Sequence, residues 1–231
     1  MNDPLISASE PILLAGGGEF RHADLVLAQT WARRAVAADG GATVLLRHGV
    51  VPEAVIGDFD SLPEATRAAL RPGILHHIAE QDSTDFDKCL RNIKAPLILG
   101  LGFLGARVDH QLSVFNRLAA RPDRPCILIG REDVVFHAPP RLTLELAVGT
   151  RVSLFPMQLV TGQSTGLRWP IGGLDFAPGG RVGTSNESSE PRVDLAMDGP
   201  GMLVILPRDC LAAAVRAVQA QGPAPSTVRG G

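Results

Sequence analysis

The stretch AVIGDFDSL, residues 54–62, closes an apolar run with two aspartates, Asp58 and Asp60, on either side of Phe59. Side chains at i and i+2 of a strand share a face, so this spacing predicts two carboxylates held close together. Such a pair is tolerated when a cation lies between the groups, when one is protonated, or when both stay solvated. Capping does not explain them, because Ser61 is a natural cap for a helix starting beyond. More carboxylates stand at comparable punctuation points: Asp39 in ADGGA, Asp82 and Asp85 in QDSTDFDKCL, and Asp109 in GARVDH. Taken singly, an aspartate at a helix start is ordinarily a cap favoured by the helix dipole. As a group, with few histidines nearby, they suit a hard ion such as magnesium, which takes oxygen ligands and keeps phosphate oxygens in its shell.

Cations accompany the carboxylates. Ser83 or Thr84 would cap a helix on which Lys88 follows Asp85 by three residues, on the same face. Alone, that spacing describes a solvated ion pair; beside metal-binding carboxylates, the ammonium suits a nucleotide phosphate. Arg107 stands in the same way beside Asp109. Other features carry less. GGGEFR matches neither dinucleotide nor Walker patterns and supports only a tight turn, and His76, His77 and His110 lack metal-ligand spacing. No G-x-S-x-G elbow points to a serine hydrolase.

These residues need elements to hold them. From residue 11 to about 130 the runs PILLAGGG, RAVAADGGA, AVIGDFDS, PLILGLG and CILIG alternate with the helix-like HADLVLAQTWA, LPEATRAALR, STDFDKCLRNI and DHQLSVFNRLAA. Continuous apolar runs predict strands covered on both faces, hence an α/β domain with a mostly parallel sheet flanked by helices. Ligands in such folds gather at the carboxyl ends of the strands, where these aspartates and glycines lie. Beyond about residue 131 the helical period gives way to VVFHA, LTLELAV, RVSLF, GLRW, VDLAM and MLVIL, separated by Gly, Pro, Ser and Asn. That texture predicts an all-β sandwich domain. We expect an α/β domain over 1–135, a β-sandwich over 136–210, and a C-terminal helix or loose tail over 211–231.

Composition narrows the classes. Of 231 residues, 45% are hydrophobic and 20% charged, enough apolar material for a sizeable core. The net charge of -2 leaves no excess of positive charge for a nucleic-acid backbone. Cys89, Cys126 and Cys210 are odd in number and have no C-x-x-C spacing, which fits a reducing compartment better than a disulfide framework or zinc site. The N-terminal residues do not read as a signal peptide, and no run reaches the ~18 apolar residues of a membrane span. A cytoplasmic protein without membrane partners is the expectation, so the sequon at Asn186 carries no weight.

In their order and approximate spacing, ADGGA, GDFDS, QDSTDFDKCL and GARVDH resemble the motifs of the thiamine pyrophosphokinase family, as do GLRW at 166–169 and TSNES at 184–188. The resemblance spans about residues 11–207. It implies a magnesium-dependent transfer of pyrophosphate from ATP to the hydroxyethyl group of thiamine, releasing AMP, in a homodimer with active sites at the subunit interface. Carried onto this chain, Asp58, Asp60 and Asp85 resemble the metal-site carboxylates, with Asp39 and Asp109 lining the same pocket. Gln81, Asp82, Thr84, Lys88 and Arg107 resemble nucleotide, phosphate or substrate contacts. Trp169, Ser185 and Asn186 resemble the thiamine side, although a lone Trp in a strand is as readily core. Asp109 or Asp82 is the expected acceptor of the hydroxyl proton. The family commonly has Gly-Gly-Arg where this chain has Gly105-Ala106-Arg107. A pyrophosphokinase for another alcohol, such as a hydroxymethylpterin, and a non-catalytic nucleotide- or thiamine-binding regulator are the alternative readings.

Overall fold

The computed structural model describes residues 3–105 and 107–220, so Ala106 and the tail from 221 lie outside the described residues. The first part of the chain runs β1 (Ile6–Ser7), β2 (Ile12–Ala15), α1 (His22–Gln29), β3 (Arg34–Ala38), α2 (Gly41–Arg47), β4 (Ala54–Gly57), α3 (Glu64–Ala69), β5 (Leu75–His77), α4 (Asp85–Asn92), β6 (Ile93–Lys94), β7 (Ile98–Leu101), α5 (Val108–Ala120) and β8 (Cys126–Ile129). The remainder is β9 (Asp133–His137), β10 (Arg141–Glu145), β11 (Arg151–Pro156), β12 (Gly162–Thr165), β13 (Gly183–Glu187), β14 (Arg192–Met197), β15 (Met202–Pro207) and α6 (Leu211–Gln219).

The continuous apolar runs become strands buried on both faces. In β2, Ile12 and Leu14 enter one core cluster with Phe86, Leu90, Val114 and Leu118 from α4 and α5. Leu13 and Ala15 enter the other, with Leu25, Ala28, Ala42 and Leu45 from α1 and α2. Period-2 alternation thus feeds two cores, and the helices cover both faces. Helix α2 was not among the predicted helices. Its opening Gly40-Gly41 pair reads as a turn, but Gly41 packs so close to β2 that a Cβ would lie 2.1 Å from the Ala15 carbonyl oxygen. Glycine is required there by helix-strand contact.

The sheet is larger and more continuous than the two textures suggested. Its ten strands run β13-β11-β15-β9-β8-β7-β2-β3-β4-β5. Strands β8, β7, β2, β3, β4 and β5 pair in parallel, and β9, β15, β11 and β13 continue the same sheet in antiparallel pairing. The change of texture predicted near residue 131 falls at a hairpin: Gly130 N–H donates to the Asp133 carbonyl at 2.8 Å, and Ile129 pairs with Val134. A separate three-stranded sheet, β10-β14-β12, contributes Leu142, Leu144, Val193 and Leu195 to the cluster that holds Val152, Leu154, Val204 and Leu206. The β half is therefore two facing layers, one of which extends the α/β sheet. Among the described residues no helix is long and apolar enough to cross a membrane.

Candidate functional site

From β2 the chain passes through β3, β4 and β5 on one side, then returns through β7 and β8 on the other. The direction reverses between β2 and β7, and at such a switch point the loops diverge and leave a crevice. A cavity of about 700 Å³ lies there. Its wall includes Gly16–Glu19 after β2, Asp39 and Gly40 after β3, Asp58 and Ser61 after β4, and Gly102–Gly105 after β7. Ser83, Thr84, Asp85 and Phe86 at the start of α4, with Arg107 and His110 at the start of α5, complete it.

The carboxylates come together through backbone devices. Strand β4 ends at Gly57 rather than carrying Asp58 and Asp60 on one pleated face, and Phe59 turns the chain with φ of 66°. Asp60 N–H donates to Asp58 Oδ1 at 3.2 Å, while the Asp60 side chain is exposed and lies outside the cavity wall. Ser61 does not cap α3, whose N-cap is Pro63. Its N–H instead donates to Asp39 Oδ2 at 3.0 Å. Asp39 itself has φ of 41°. Left-handed backbone at non-glycine residues is costly and concentrates at functional sites. Gly57 makes room for the cluster, since a Cβ there would sit 2.9 Å from Asp39 Cβ and 3.2 Å from Asp85 Oδ1.

Oxygens of Asp39, Asp58 and Asp85 all lie within 4.8 Å of one another. Lys88 Nζ donates to Asp58 Oδ2 at 2.7 Å and to Asp85 Oδ1 at 3.3 Å, with only 1% of its side chain exposed. The predicted i,i+3 pair exists, with its Lys88 end buried and its Asp85 end partly exposed. Asp39 Oδ1 is buried and has no hydrogen-bond partner.

The charges are unevenly compensated. The Lys88 hydrogen bond holds the Asp58 carboxyl below its ordinary value against its burial. Burial raises Asp39, reinforced by the charges of Asp85, Asp58 and Asp60 and opposed by the Ser61 N–H. Burial, joined by the Asp58 charge, also raises Asp85 against the charge and hydrogen bond of Lys88. Burial pulls Lys88 down, but the Asp58 hydrogen bond and the Asp85 charge leave it above the ordinary lysine value. An all-oxygen donor set with surplus negative charge and an orphaned buried oxygen fits a hard divalent cation.

The other predicted residues are placed as follows. Thr84 is the N-cap of α4, its hydroxyl accepting from Asp87 N–H at 3.3 Å, and it lines the cavity. Gln81 and Asp82 are exposed on the preceding loop and are not in the wall. That loop is tied to α4 by Arg91, which contacts Glu80 and donates to Ser83 Oγ at 2.9 Å. Arg107 pairs with Asp109 at 2.7 Å, both about two-thirds exposed, and the hydrogen bond from Arg107 lowers Asp109 to about 2. Arg107 lines the cavity and Asp109 does not. Trp169, Ser185 and Asn186 line a separate cavity of about 280 Å³ in the β half, with Ile171, Leu174 and Phe176. Trp169 is 53% exposed and carries Arg168 over its ring at 4.8 Å, so it is not core. Asn186 is buried and clamps the Trp169 backbone, accepting from its N–H at 3.2 Å and donating to its carbonyl at 2.7 Å. Ser185 is a third residue in left-handed backbone, φ 60°.

Sequence reasoning passed over the glycines. Gly16, Gly17 and Gly18 form cavity wall, and a Cβ on Gly18 would lie 2.6 Å from the Gly102 carbonyl oxygen. The run GGGEFR held that signal without matching a phosphate-loop pattern. Thr43 and Arg47 on the overlooked α2 also line the cavity, and Glu19 meets Arg47 at 2.8 Å.

Fold and site together define an α/β domain with a cavity at the switch point of its sheet, extended on one side by an antiparallel sheet. Residues 27–128 match the family model for the thiamin pyrophosphokinase catalytic domain. Thiamine pyrophosphokinase 1 of Oryza sativa subsp. japonica is 29% identical over 201 residues, covering 72% of this chain and 76% of that protein. Thiamine pyrophosphokinase 1 of Arabidopsis thaliana is 26% identical over 172 residues, covering 66% of this chain, and the match spans 64% of that relative's length. The crystal structure of thiamin pyrophosphokinase from Geobacillus thermodenitrificans aligns with a TM-score of 0.68 at 26% identity, over 85% of this chain and 96% of that one. The yeast enzyme aligns with a TM-score of 0.72 at 18% identity, which shows the fold. Family model, curated relatives and solved structures all support the thiamine pyrophosphokinase family for this chain, bearing out the resemblance carried by the motifs.

Proposed function

We propose that the protein is a magnesium-dependent diphosphotransferase that moves the pyrophosphoryl group of ATP to the hydroxyethyl group of thiamine, giving thiamine diphosphate and AMP. The carrying observation is the convergence of Asp39, Asp58 and Asp85 oxygens within 4.8 Å in the wall of the switch-point cavity. Asp58 and Asp85, with Asp39 beside them, would hold the ion, and the exposed Asp60 would act only through water. When bound, magnesium supplies charge neutralisation for phosphate oxygens.

In this reading the glycines at 16–18, with Gly102 and Gly105 opposite, admit the triphosphate close to backbone, where side chains would intrude. Arg107 reaches over from the N-terminal end of α5 to the phosphates, and Lys88 adds a second cation. Phosphoryl transfer needs positioning and charge absorption more than covalent participation, and these groups provide both. Asp109, held low by Arg107, is a weak proton acceptor, and Asp82, the other expected base, is exposed outside the cavity wall. The cavity of Trp169, Ser185 and Asn186 would take thiamine, the half-exposed indole offering its face to an aromatic cation. We further propose a homodimer in which a second copy brings its β-half cavity to the nucleotide site. The three free thiols suit a cytoplasmic setting.

The matched relatives are named for thiamine, and nothing in the comparisons supports the pterin or regulator alternatives. The test is AMP release from ATP with thiamine, with a hydroxymethylpterin, and with neither, each with and without magnesium. Release that requires both thiamine and magnesium is expected. Tight ATP binding without AMP release over hours would overturn the reading.

A further inference from the structure

A lysine reserved for phosphate would present its ammonium to the cavity. Lys88 is instead stationed among the carboxylates, buried, with Nζ between Asp58 and Asp85. It satisfies those two and leaves Asp39 Oδ1 without a partner. The same three carboxylates are the ones a divalent ion would need.

We propose that Lys88 is a resident internal cation that a divalent ion must displace, so that the ion binds tightly only together with a triphosphate that gives the released ammonium a new counter-ion. This rests on the function proposed above. In the partly buried site, an ammonium and a divalent ion about 4 Å apart would repel strongly enough to weaken ion binding by ~100-fold or more. Side chains on a helix lean toward its N-terminus, so Lys88 lies over the turn of Ser83, Thr84 and Asp85 that lines the cavity. Its flexible four-carbon stem allows Nζ to pass from carboxylate to phosphate without moving α4. By linkage, metal and nucleotide then raise each other's affinity equally. The arrangement keeps the carboxylates compensated before substrate arrives and makes tight metal binding conditional on nucleotide.

The test titrates Mn2+ by electron paramagnetic resonance, with and without a non-hydrolysable ATP analogue, for the wild-type protein and Lys88→Met. The wild type is expected to bind Mn2+ weakly alone and tightly with the analogue. Lys88→Met is expected to bind Mn2+ alone ~10-fold or more tightly than the wild type, with the nucleotide enhancement reduced by a similar factor, the direct metal–phosphate contact remaining. Wild-type affinity or weaker in the variant would overturn the exchange. If that occurs while the wild-type protein still releases AMP in a thiamine-dependent way, the exchange fails and the functional reading stands; a wild type that binds no Mn2+ even with the analogue overturns both. Should Lys88→Met not fold, the 15Nζ resonance of Lys88 in the wild type decides. Movement with magnesium plus analogue, and none with magnesium alone, supports the exchange; a resonance unmoved in both overturns it.

Discussion

Replacing Asp58 by Asn separates charge from shape at the centre of the site. The amide has nearly the size of the carboxylate and still offers a carbonyl oxygen to Lys88 Nζ, 2.7 Å away, but it carries no charge. Removing one partner of a buried ion pair commonly costs ~3–5 kcal/mol because the other charge is left alone. Here Lys88 keeps Asp85 at 3.3 Å, so the loss should be nearer the difference between a charge-assisted and a neutral hydrogen bond, ~1–2 kcal/mol. For a chain of this length that corresponds to a fall in melting temperature of ~2–8 °C. Turnover should suffer far more, by ~100-fold or greater, the scale of deleting one preorganised charge-stabilising group. The assay pairs a melting curve and far-ultraviolet circular dichroism with AMP release at saturating ATP, thiamine and magnesium. Turnover within tenfold of wild type, from a variant with native circular dichroism, would falsify the assignment of Asp58 to the charge-absorbing site.

Other expectations follow from specific contacts. Gly57→Ala places a methyl against Asp39 Cβ and Asp85 Oδ1, so turnover should drop ~10- to 100-fold through misplacement of the carboxylates, and an unaffected rate would show that they tolerate displacement. Trp169→Ala should change stability by less than ~1 kcal/mol because the indole is half exposed, yet raise the KM for thiamine ~10-fold or more; a large stability loss with unchanged KM would make Trp169 structural. Burial lowers His137 to about 4, and its Nε2 accepts from Gly201 N–H at 2.8 Å. Its folded pKa lies below the unfolded value of ~6.5, so its contribution is fully present above that value and is lost as pH falls toward 4, up to ~3 kcal/mol. Urea titrations at stepped pH should show this slope reduced in His137→Gln, which keeps an acceptor; an identical slope would remove His137 as its source.

The acidic inventory and the alternation of strand and helix were legible in the sequence. A strand covered on both faces must be written as an unbroken apolar run, and a helix such as Asp85–Asn92 announces itself through its Thr84 cap and amphipathic spacing. Those are local demands that each segment meets from its own residues. Which carboxylates converge was decided elsewhere. The pattern joined Asp60 to Asp58, but the left-handed turn at Phe59 leaves Asp60 at the surface, and the close approach of β3, Gly57 and α4 brings in Asp39. The burial of Lys88, the glycine wall across β2 and β7, and the running of one sheet through both halves depend likewise on segments far apart in the chain. Hydrophobic period and capping are set within a few residues. Electrostatic convergence and close backbone packing exist only once strand order and helix placement have put distant segments side by side.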